Sequence, residues 1–181
     1  KATGFDTIGL LSLSTADYPY LEEAFSLLTD YFQPLHVGIS LPSLRVDTQL
    51  KLLPKLASSV RRSGLTIAVE AASERLRKII NKPITDENLF AAVEEAYRQG
   101  FDSIKLYFMA GLPGETEDDI KNIVKLCYDL AGLRKKVCNR IANINAAVSW
   151  FVPKAHTPFG WLEQKSEAYF RNAKDIIISE K

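Results

Sequence analysis

Five short apolar runs alternate along the chain with segments of helical periodicity, and this alternation constrains the fold more than any other feature. Each run is rich in β-branched or aromatic residues and lacks a 3.6-residue period, which is typical of a buried strand. The predicted strands lie at residues 7–13, 35–41, 65–70, 104–109 and 145–152. Apolar strands that alternate with helices predict a parallel sheet covered by helices, either doubly wound or closed into a barrel.

Apolar stripes at helical spacing predict helices between these strands. The stripes consist of Leu21, Phe25, Leu28 and Phe32, then Leu89, Val93 and Ala96, and then Ile120, Ile123, Cys127 and Leu130. A further amphipathic helix is predicted after Trp161. The predicted N-caps are Asp47, Thr85, Thr116 and Ser166. Thr116 with Asp119 approximates a capping box, and Gly64 and Gly100 are expected to end helices ahead of strands.

Composition and charge limit the classes of partner. The 181 residues, 46% of them hydrophobic, suffice for one domain with a sizeable core. With 23 basic and 22 acidic residues the formal net charge is +1, so no overall field or evident patch favours nucleic acid or an anionic membrane. No apolar run approaches the roughly 18 residues of a membrane helix.

The cysteines and the first residues indicate the compartment and the extent of the chain. Cys127 and Cys138 are too few for a disulfide framework and too far apart for a metal-ligand pair. We interpret them as structural residues of a cytoplasmic protein. The first residues contain neither an initiator Met nor a signal-peptide core, which predicts a start inside a longer protein.

Polar side chains follow the predicted strands at the rim, by which we mean the carboxyl ends of the strands together with the loops after them. Glu70 ends the third strand, and a short helix from Ser73 to about Asn81 is expected to return Lys82 to the same rim. A carboxylate suits a ribose diol and an ammonium suits a carboxylate, so the two side chains match the opposite ends of a nucleoside amino acid. From the residues alone, a partly buried structural ion pair is the simpler interpretation.

The turn Gly-Leu-Pro-Gly-Glu-Thr at residues 111–116 follows the fourth strand. Its glycines allow a ligand to approach the backbone, and Thr116 opens a helix with unpaired N–H groups, which suits a planar base or an anion. An ordinary strand-to-helix turn explains the same residues equally well. His156 is interpreted as a surface group. The sequence lacks a Ser-His-Asp set, metal-ligand spacing, and the phosphate-loop and dinucleotide glycine patterns.

Several blocks of sequence occur in a fixed order. They are Leu-Ser-Leu-Ser-Thr-Ala-Asp-Tyr at 11–18, Ser-Leu-Pro-Ser-Leu-Arg-Val-Asp at 40–47, Glu-Ala at 70–71, Ile-Asn-Lys at 80–82, Lys-Leu-Tyr-Phe-Met at 105–109, the turn at 111–116, Ser-Trp-Phe-Val-Pro-Lys at 149–154 and His-Thr-Pro-Phe at 156–159. Together they resemble the radical S-adenosylmethionine (SAM) superfamily, in particular its methylthiotransferase-like subgroup. They are most similar to uncharacterised proteins that join a cobalamin-binding domain to a radical SAM domain.

The resemblance implies an α/β fold, a partial TIM-type barrel of six β/α units, of which this chain holds about five with parallel strands. The five predicted strands correspond to the second to sixth strands of that barrel. The first unit of the family carries Cys-x3-Cys-x2-Cys, whose thiolates bind a [4Fe-4S] cluster. That unit and any cobalamin-binding domain are expected to lie outside this chain.

The resemblance also implies a set of cofactor-binding residues. They are Ser12, Ser14, Ser43, Glu70, Lys82, Gly111, Leu112, Pro113, Phe151 and Val152. Ser12 and Ser14 fall where the family holds the methionine amino group, although the usual Gly-Gly-Glu is replaced. Glu70 resembles the ribose-binding position, and Lys82 resembles a position, often arginine, that meets the methionine carboxylate. The set from Gly111 onward resembles the adenine-binding surface.

The activity implied by the resemblance is one-electron cleavage of SAM to a 5'-deoxyadenosyl radical, which abstracts hydrogen from a substrate held inside the barrel. Without cluster ligands this chain by itself is expected to be inactive, and the full-length enzyme needs an electron donor. Cobalamin is left open as a cofactor, and the sequence names no substrate. Two alternatives stay open: a non-catalytic α/β module that binds a nucleoside or a protein, and a phosphate-binding barrel enzyme, which would carry glycine-rich loops after its last strands.

Overall fold

Five parallel strands and five α-helices make up most of the residues that the computed structural model describes, which are residues 4–10, 18–40 and 65–181. In chain order the elements are β1 (Thr7–Gly9), α1 (Leu21–Phe32), a 3₁₀ helix (Gln33–Leu35), β2 (Gly38–Ser40), β3 (Leu65–Glu70), α2 (Glu74–Ile79), α3 (Asp86–Arg98), β4 (Ser103–Ala110), α4 (Glu117–Cys138), β5 (Asn143–Trp150) and α5 (Glu167–Ser179). A helix follows β1, β3, β4 and β5, as the alternation of sequence patterns predicts.

The strand pairs are parallel, which confirms the predicted sheet type. β1 pairs with β2, and β4 lies between β3 and β5 in a second sheet. Leu65 of β3 lies opposite Ile104, and Ile104 lies opposite Ile144 of β5, so the three strands run in step. Because parallel strands present their carboxyl ends at one edge, the segments that follow β3, β4 and β5 share a rim.

The main hydrophobic core lies between one face of the β3–β4–β5 sheet and the helices α3 and α4. Burial alternates along β4: Ile104, Leu106 and Phe108 are buried, whereas Lys105 and Tyr107 between them are exposed. Successive side chains of a strand point to opposite faces, so the helices cover one face of this strand. The helices contribute the buried residues Leu89, Ala92, Val93 and Ala96 from α3 and Ile123, Leu126 and Leu130 from α4.

A smaller apolar cluster joins α1 to β2. Leu21 and Phe25 on α1 are buried together with Ile39 on β2, and Leu28 and Phe32 pack around them. These four α1 residues form the stripe that helical spacing predicts, so the face of α1 that packs inward is confirmed.

Side-chain caps fix where three of the helices begin. Thr85, Thr116 and Ser166 each accept a hydrogen bond from the backbone N–H three residues ahead, which confirms them as the N-caps of α3, α4 and α5. The N–H of Thr116 in turn donates to the carboxylate of Asp119, which completes the predicted capping box. Gly100 follows α3 with a left-handed φ of 88°. Asp47 and Gly64 lie outside the described residues.

The predicted strand bounds need correction at several ends. The second strand does not begin at Leu35, because Gln33–Leu35 forms a 3₁₀ turn and His36 takes a left-handed φ of 56° before β2 starts at Gly38. The first strand ends at Gly9, and the later part of its predicted range, residues 11–13, lies outside the described residues. β5 begins two residues earlier than predicted and ends at Trp150. Apolar composition does not distinguish a strand from an adjoining turn.

Candidate functional site

Glu70 occupies a strained position at the end of β3. Its φ is +67°, a left-handed value that is uncommon for a residue with a Cβ. The strand register shifts at the same point, because Ala68 lies opposite Tyr107 whereas Glu70 lies opposite Phe108. Such a bulge redirects the side chain that follows it. Backbone strain of this kind concentrates at functional sites and persists where the surroundings hold it.

The short helix α2 returns Lys82 to Glu70, as the sequence predicts. Ser73 caps α2, and Asn81 leaves the helix with a φ of 55°. The Lys82 N–H then donates to the carbonyl of Arg77 at 2.8 Å. Lys82 Nζ lies 3.5 Å from Glu70 Oε1, with side chains that are 33% and 26% exposed. The two groups therefore form the ion pair expected from the residues alone, and both stay open to solvent at the rim.

A buried guanidinium that the sequence analysis missed fixes both partners of this pair. Arg77 is fully buried, and it donates to the carbonyls of Ala71 and Ala72 at 3.1 and 3.0 Å. It also donates to the carbonyl of Ile84 at 2.8 Å and pairs with the carboxylate of Asp86. The carbonyls of Ala71 and Ala72 directly follow Glu70, and the carbonyl of Ile84 lies two residues after Lys82. The Arg77 side chain therefore holds the backbone next to both partners of the ion pair. No local sequence pattern marks an arginine for this position.

The second rim loop, residues 111–116, depends on glycine at its first position. Gly111 has a φ of +90°, and a Cβ added there would lie 2.7 Å from Cε1 of Phe170 on α5. The side chain of Leu112 is fully buried, in a cluster with Ala71 and Leu76. Gly111 is buried as well, so Pro113, which is partly exposed, is the residue at this end of the loop that a ligand can reach.

Glu115 braces the second rim loop. Its Oε2 accepts the N–H of Gly111 at 2.6 Å and the hydroxyl of Tyr169 on α5 at 2.5 Å. Burial raises the pKa of Glu115, and the hydrogen bonds from Tyr169 and Gly111 oppose that rise. Burial and the carboxylate of Glu115 both raise the pKa of Tyr169. These two hydrogen bonds hold the loop in one conformation. They favour the interpretation of residues 111–116 as an ordinary strand-to-helix turn.

The first rim loop, residues 70–73, is tied to the second through Asp119 on α4. Ser73 donates to Asp119 Oδ1 at 2.6 Å, and Arg75 pairs with the same carboxylate while donating to the carbonyl of Gly114 at 3.0 Å. Burial opposes ionisation of Asp119, but hydrogen bonds from Ser73 and Thr116 and the charge of Arg75 hold its pKa below the usual value. The two loops therefore behave as one unit.

The end of β5 completes the rim. The Phe151 N–H donates to the carbonyl of Ala110 at 2.8 Å, and its ring packs against the cluster of Ala71, Leu76 and Leu112. Residues that directly follow β3, β4 and β5 thus contact one apolar cluster, which confirms that the three strand ends converge. Val152 is 52% exposed beside them.

The other predicted site residues fall elsewhere. Ser12, Ser14 and Ser43 lie outside the described residues. His156 is exposed, as predicted for a surface group. Burial raises the pKa of Cys127 to about 11, which keeps its thiol neutral. Across the three described ranges, no cluster of three or more His, Cys, Asp or Glu side chains is placed to hold a metal ion.

Within residues 4–10, 18–40 and 65–181, no helix is both long and apolar enough to cross a bilayer.

Comparison with known proteins yields a family match and two relatives from one organism. Residues 2–127 match the Radical SAM superfamily. An uncharacterised protein of Methanocaldococcus jannaschii, MJ0966, is 36% identical over 159 residues, which is 88% of this chain and 33% of that protein. A second protein of that organism, MJ1620, is 21% identical over 121 residues, covering 67% of this chain and 24% of its own length. The chain thus spans a third or less of the length of these relatives.

A solved structure shares the fold. Coproporphyrinogen III oxidase (HemN) from Escherichia coli, described as a radical SAM enzyme, superposes with a TM-score of 0.60 at 20% sequence identity. The match covers 93% of this chain and 36% of that enzyme. The likeness bears out an α/β fold with parallel strands of the TIM type. The family match over more than half of the sequence shows that the chain belongs to the radical SAM superfamily, whose members are enzymes.

Proposed function

We propose that the protein is a radical SAM enzyme that binds SAM at the rim formed by β3, β4 and β5. The observation that carries the proposal is the geometry of Glu70. This residue has a left-handed backbone at a β-bulge, and its partly exposed carboxylate lies 3.5 Å from Nζ of Lys82. A strained, solvent-accessible acid beside a base at the ends of parallel strands is typical of a ligand site. Membership of the superfamily supplies the identity of the ligand.

The chemistry of the rim residues fits the parts of SAM. The two carboxylate oxygens of Glu70 can accept hydrogen bonds from both hydroxyls of a ribose. The ammonium of Lys82 can form an ion pair with the carboxylate of the methionine part. Without ligand these two groups pair with each other. Bound SAM would give Glu70 two ribose hydroxyls as donors and would give Lys82 a carboxylate in place of Glu70. The partly exposed Pro113, Phe151 and Val152 offer a surface for adenine, and the buried residues Gly111 and Leu112 fix the loop behind it. We extend the proposal to Ser12, Ser14 and Ser43 as polar contacts for the methionine end.

The [4Fe-4S] cluster of the superfamily does not fit the thiols of this chain. Three thiolates are required, whereas the sequence contains two cysteines, one of them kept neutral by burial in α4. We therefore propose that the cluster ligands come from outside this sequence and that these 181 residues by themselves bind SAM without turnover. When bound, SAM supplies the hydrogen-abstracting chemistry of the superfamily, and the rim residues hold and orient it.

Substitution of the two charged rim residues tests the proposal. In the anaerobically reconstituted protein at its natural full length, Glu70→Ala and Lys82→Ala should each weaken SAM binding roughly 10- to 100-fold, as expected for loss of a hydrogen bond to a charged group. Equilibrium dialysis measures the dissociation constant. The matched controls are Glu94→Ala on α3, whose side chain is 38% exposed, and Lys125→Ala on the exposed surface of α4, and they should bind as the wild type does.

Two results would contradict the proposal in different ways. Unchanged SAM affinity in both rim variants would remove Glu70 and Lys82 from the site. Tight binding by a reconstituted, reduced protein that never releases 5'-deoxyadenosine and methionine would favour the non-catalytic nucleoside-binding module instead.

A further inference from the structure

The face of the β3–β4–β5 sheet that points away from α3 and α4 is polar. Lys105 and Tyr107 lie on this face of β4, between residues that are buried under the helices. Both side chains are exposed. A parallel sheet is ordinarily covered on both faces and apolar on both, and a packed barrel interior is filled by branched apolar residues. The polar composition of this face is therefore unlike that of a packed core.

Strand register lines up the residues of this face in rows. Lys105 lies level with Thr66 of β3 and Asn145 of β5. The next row places Tyr107 between Ala68 and Ala147, the smallest side chains that a strand offers other than glycine. The face therefore presents one large aromatic ring flanked by two small side chains, and in the preceding row a cation flanked by two polar side chains.

Lys105 is a cation without an acidic partner. Its Nζ lies 4.8 Å from the centre of the Tyr107 ring, a cation–π contact. Within the part of the chain that the structure describes, no carboxylate lies at ion-pair distance from it. Glu70 at the rim is paired with Lys82. A solvent-exposed ammonium held over an aromatic ring attracts an anion.

We propose that Lys105 binds an anionic oxygen group, carboxylate or phosphate, on a small substrate that lies across this face. Asn145 and the hydroxyl of Tyr107 are neighbouring hydrogen-bond partners for the same group. The inference rests on the proposed function for the reaction that the substrate undergoes, but the site itself depends only on the sheet.

The strand spacing sets the length of this substrate. Lys105 precedes Phe108, the register partner of Glu70, by three residues. At about 3.3 Å per residue the backbone of Lys105 lies about 10 Å along the strand from the rim, and its ammonium lies over the ring of Tyr107, which is nearer the rim. The substrate should therefore carry its acidic group within about that distance of the atom that reacts there.

The test uses three probes on the protein at its natural full length: glutarate, glycerol 3-phosphate and the neutral glutaramide. Calorimetric titration should show binding of at least one anion and none of glutaramide. Lys105→Met should weaken anion binding roughly tenfold or more, as for loss of one charge-assisted contact. Lys105→Arg should retain most of it. The matched control Lys125→Met, an exposed lysine on α4, should bind as the wild type does.

A parallel titration with SAM separates the two proposals. Lys105→Met should leave SAM affinity unchanged. Two results would overturn the substrate site and leave the proposed function intact. One is that the wild type binds no anion, and the other is that Lys105→Met binds anions as well as the wild type does. Lys105-dependent anion binding in a protein that binds no SAM overturns the proposed function and keeps the site. A preference for glutarate assigns a carboxylate substrate, and a preference for glycerol 3-phosphate assigns a phosphate.

Discussion

Two glutamates follow neighbouring strands at the same rim, and the fold gives them opposite surroundings. Glu70 ends β3 with a partly exposed carboxylate whose partner is the ammonium of Lys82, 3.5 Å away. Glu115 follows β4, and its carboxylate is occupied by the N–H of Gly111 and the hydroxyl of Tyr169. Residue type and position after a strand are therefore insufficient to assign a role. The two carboxylates differ in whether their oxygens remain accessible to a ligand after folding, and this difference is why we propose a ligand-binding role for Glu70 alone.

The largest loss of stability is expected from substitution of Arg77, which holds the backbone of the first rim loop. Arg77→Met removes the donors that hold the carbonyls of Ala71, Ala72 and Ile84 and leaves those buried groups unsatisfied. We expect the free energy of unfolding to fall by about 3–5 kcal/mol, the range for removing one partner of a buried charged network. Denaturant titration measures the change.

An exposed arginine supplies the control for this prediction. Arg98→Met on α3 removes a side chain that is 61% exposed and paired with Glu94 one turn away. Its effect should stay within about 0.5 kcal/mol. A loss in Arg77→Met no larger than in this control would show that the first rim loop holds its shape without the guanidinium.

The second rim loop should be most sensitive at its first glycine. Gly111→Ala combines a left-handed backbone with a Cβ placed 2.7 Å from Phe170. Strain of about 1–2 kcal/mol from the backbone and a similar cost from overpacking give an expected loss of about 2–4 kcal/mol. Thermal or denaturant unfolding measures it.

A second glycine tests whether position, rather than the substitution itself, causes that loss. Gly132 lies inside α4 with nothing within 4 Å of an added Cβ. Gly132→Ala should stabilise the protein by about 0.5–1 kcal/mol, because alanine loses less backbone entropy in a helix. Equal destabilisation by both substitutions would contradict the steric account of Gly111.

The elements and their caps were predictable because local chemistry decides them. Periodic apolar residues identify the faces of α1, α3 and α4, and hydroxyl caps mark Thr85, Thr116 and Ser166. The start of β2 was not predictable in this way. A run of apolar residues contains no signal for the left-handed turn at His36 that precedes the strand.

The candidate site divides along the same line. The approach of Lys82 to Glu70 follows from a strand end and a helix of the right length, both visible in the sequence. The link from Glu115 to Tyr169 joins residues 54 positions apart, and it exists because α5 packs on the second rim loop. The burial of Arg77 likewise depends on carbonyls that two separate turns bring together. Contacts of this kind arise from tertiary packing, for which a single sequence holds no local pattern.

The smallest expected effect is the dependence of folding stability on pH that Glu115 causes. It is also the sharpest test of the comparison between the two glutamates. Burial raises its pKa in the folded protein above that of the unfolded chain, so the folded state binds a proton more tightly. The stability that this proton contributes is fully present below the unfolded pKa and is lost as the pH rises through the folded pKa. Glu115→Gln cannot titrate and lacks this dependence.

Lowering the pH through that window should therefore stabilise the wild type relative to Glu115→Gln, and at neutral pH the two should differ by on the order of 1 kcal/mol. Denaturant titrations across the pH range measure the difference. Tyr169→Phe removes a hydrogen bond that lowers the pKa of Glu115, so it should move the window to higher pH. A constant difference between wild type and Glu115→Gln at every pH would contradict the raised pKa of Glu115, because it would mean that the hydrogen bonds from Tyr169 and Gly111 fully offset the effect of burial.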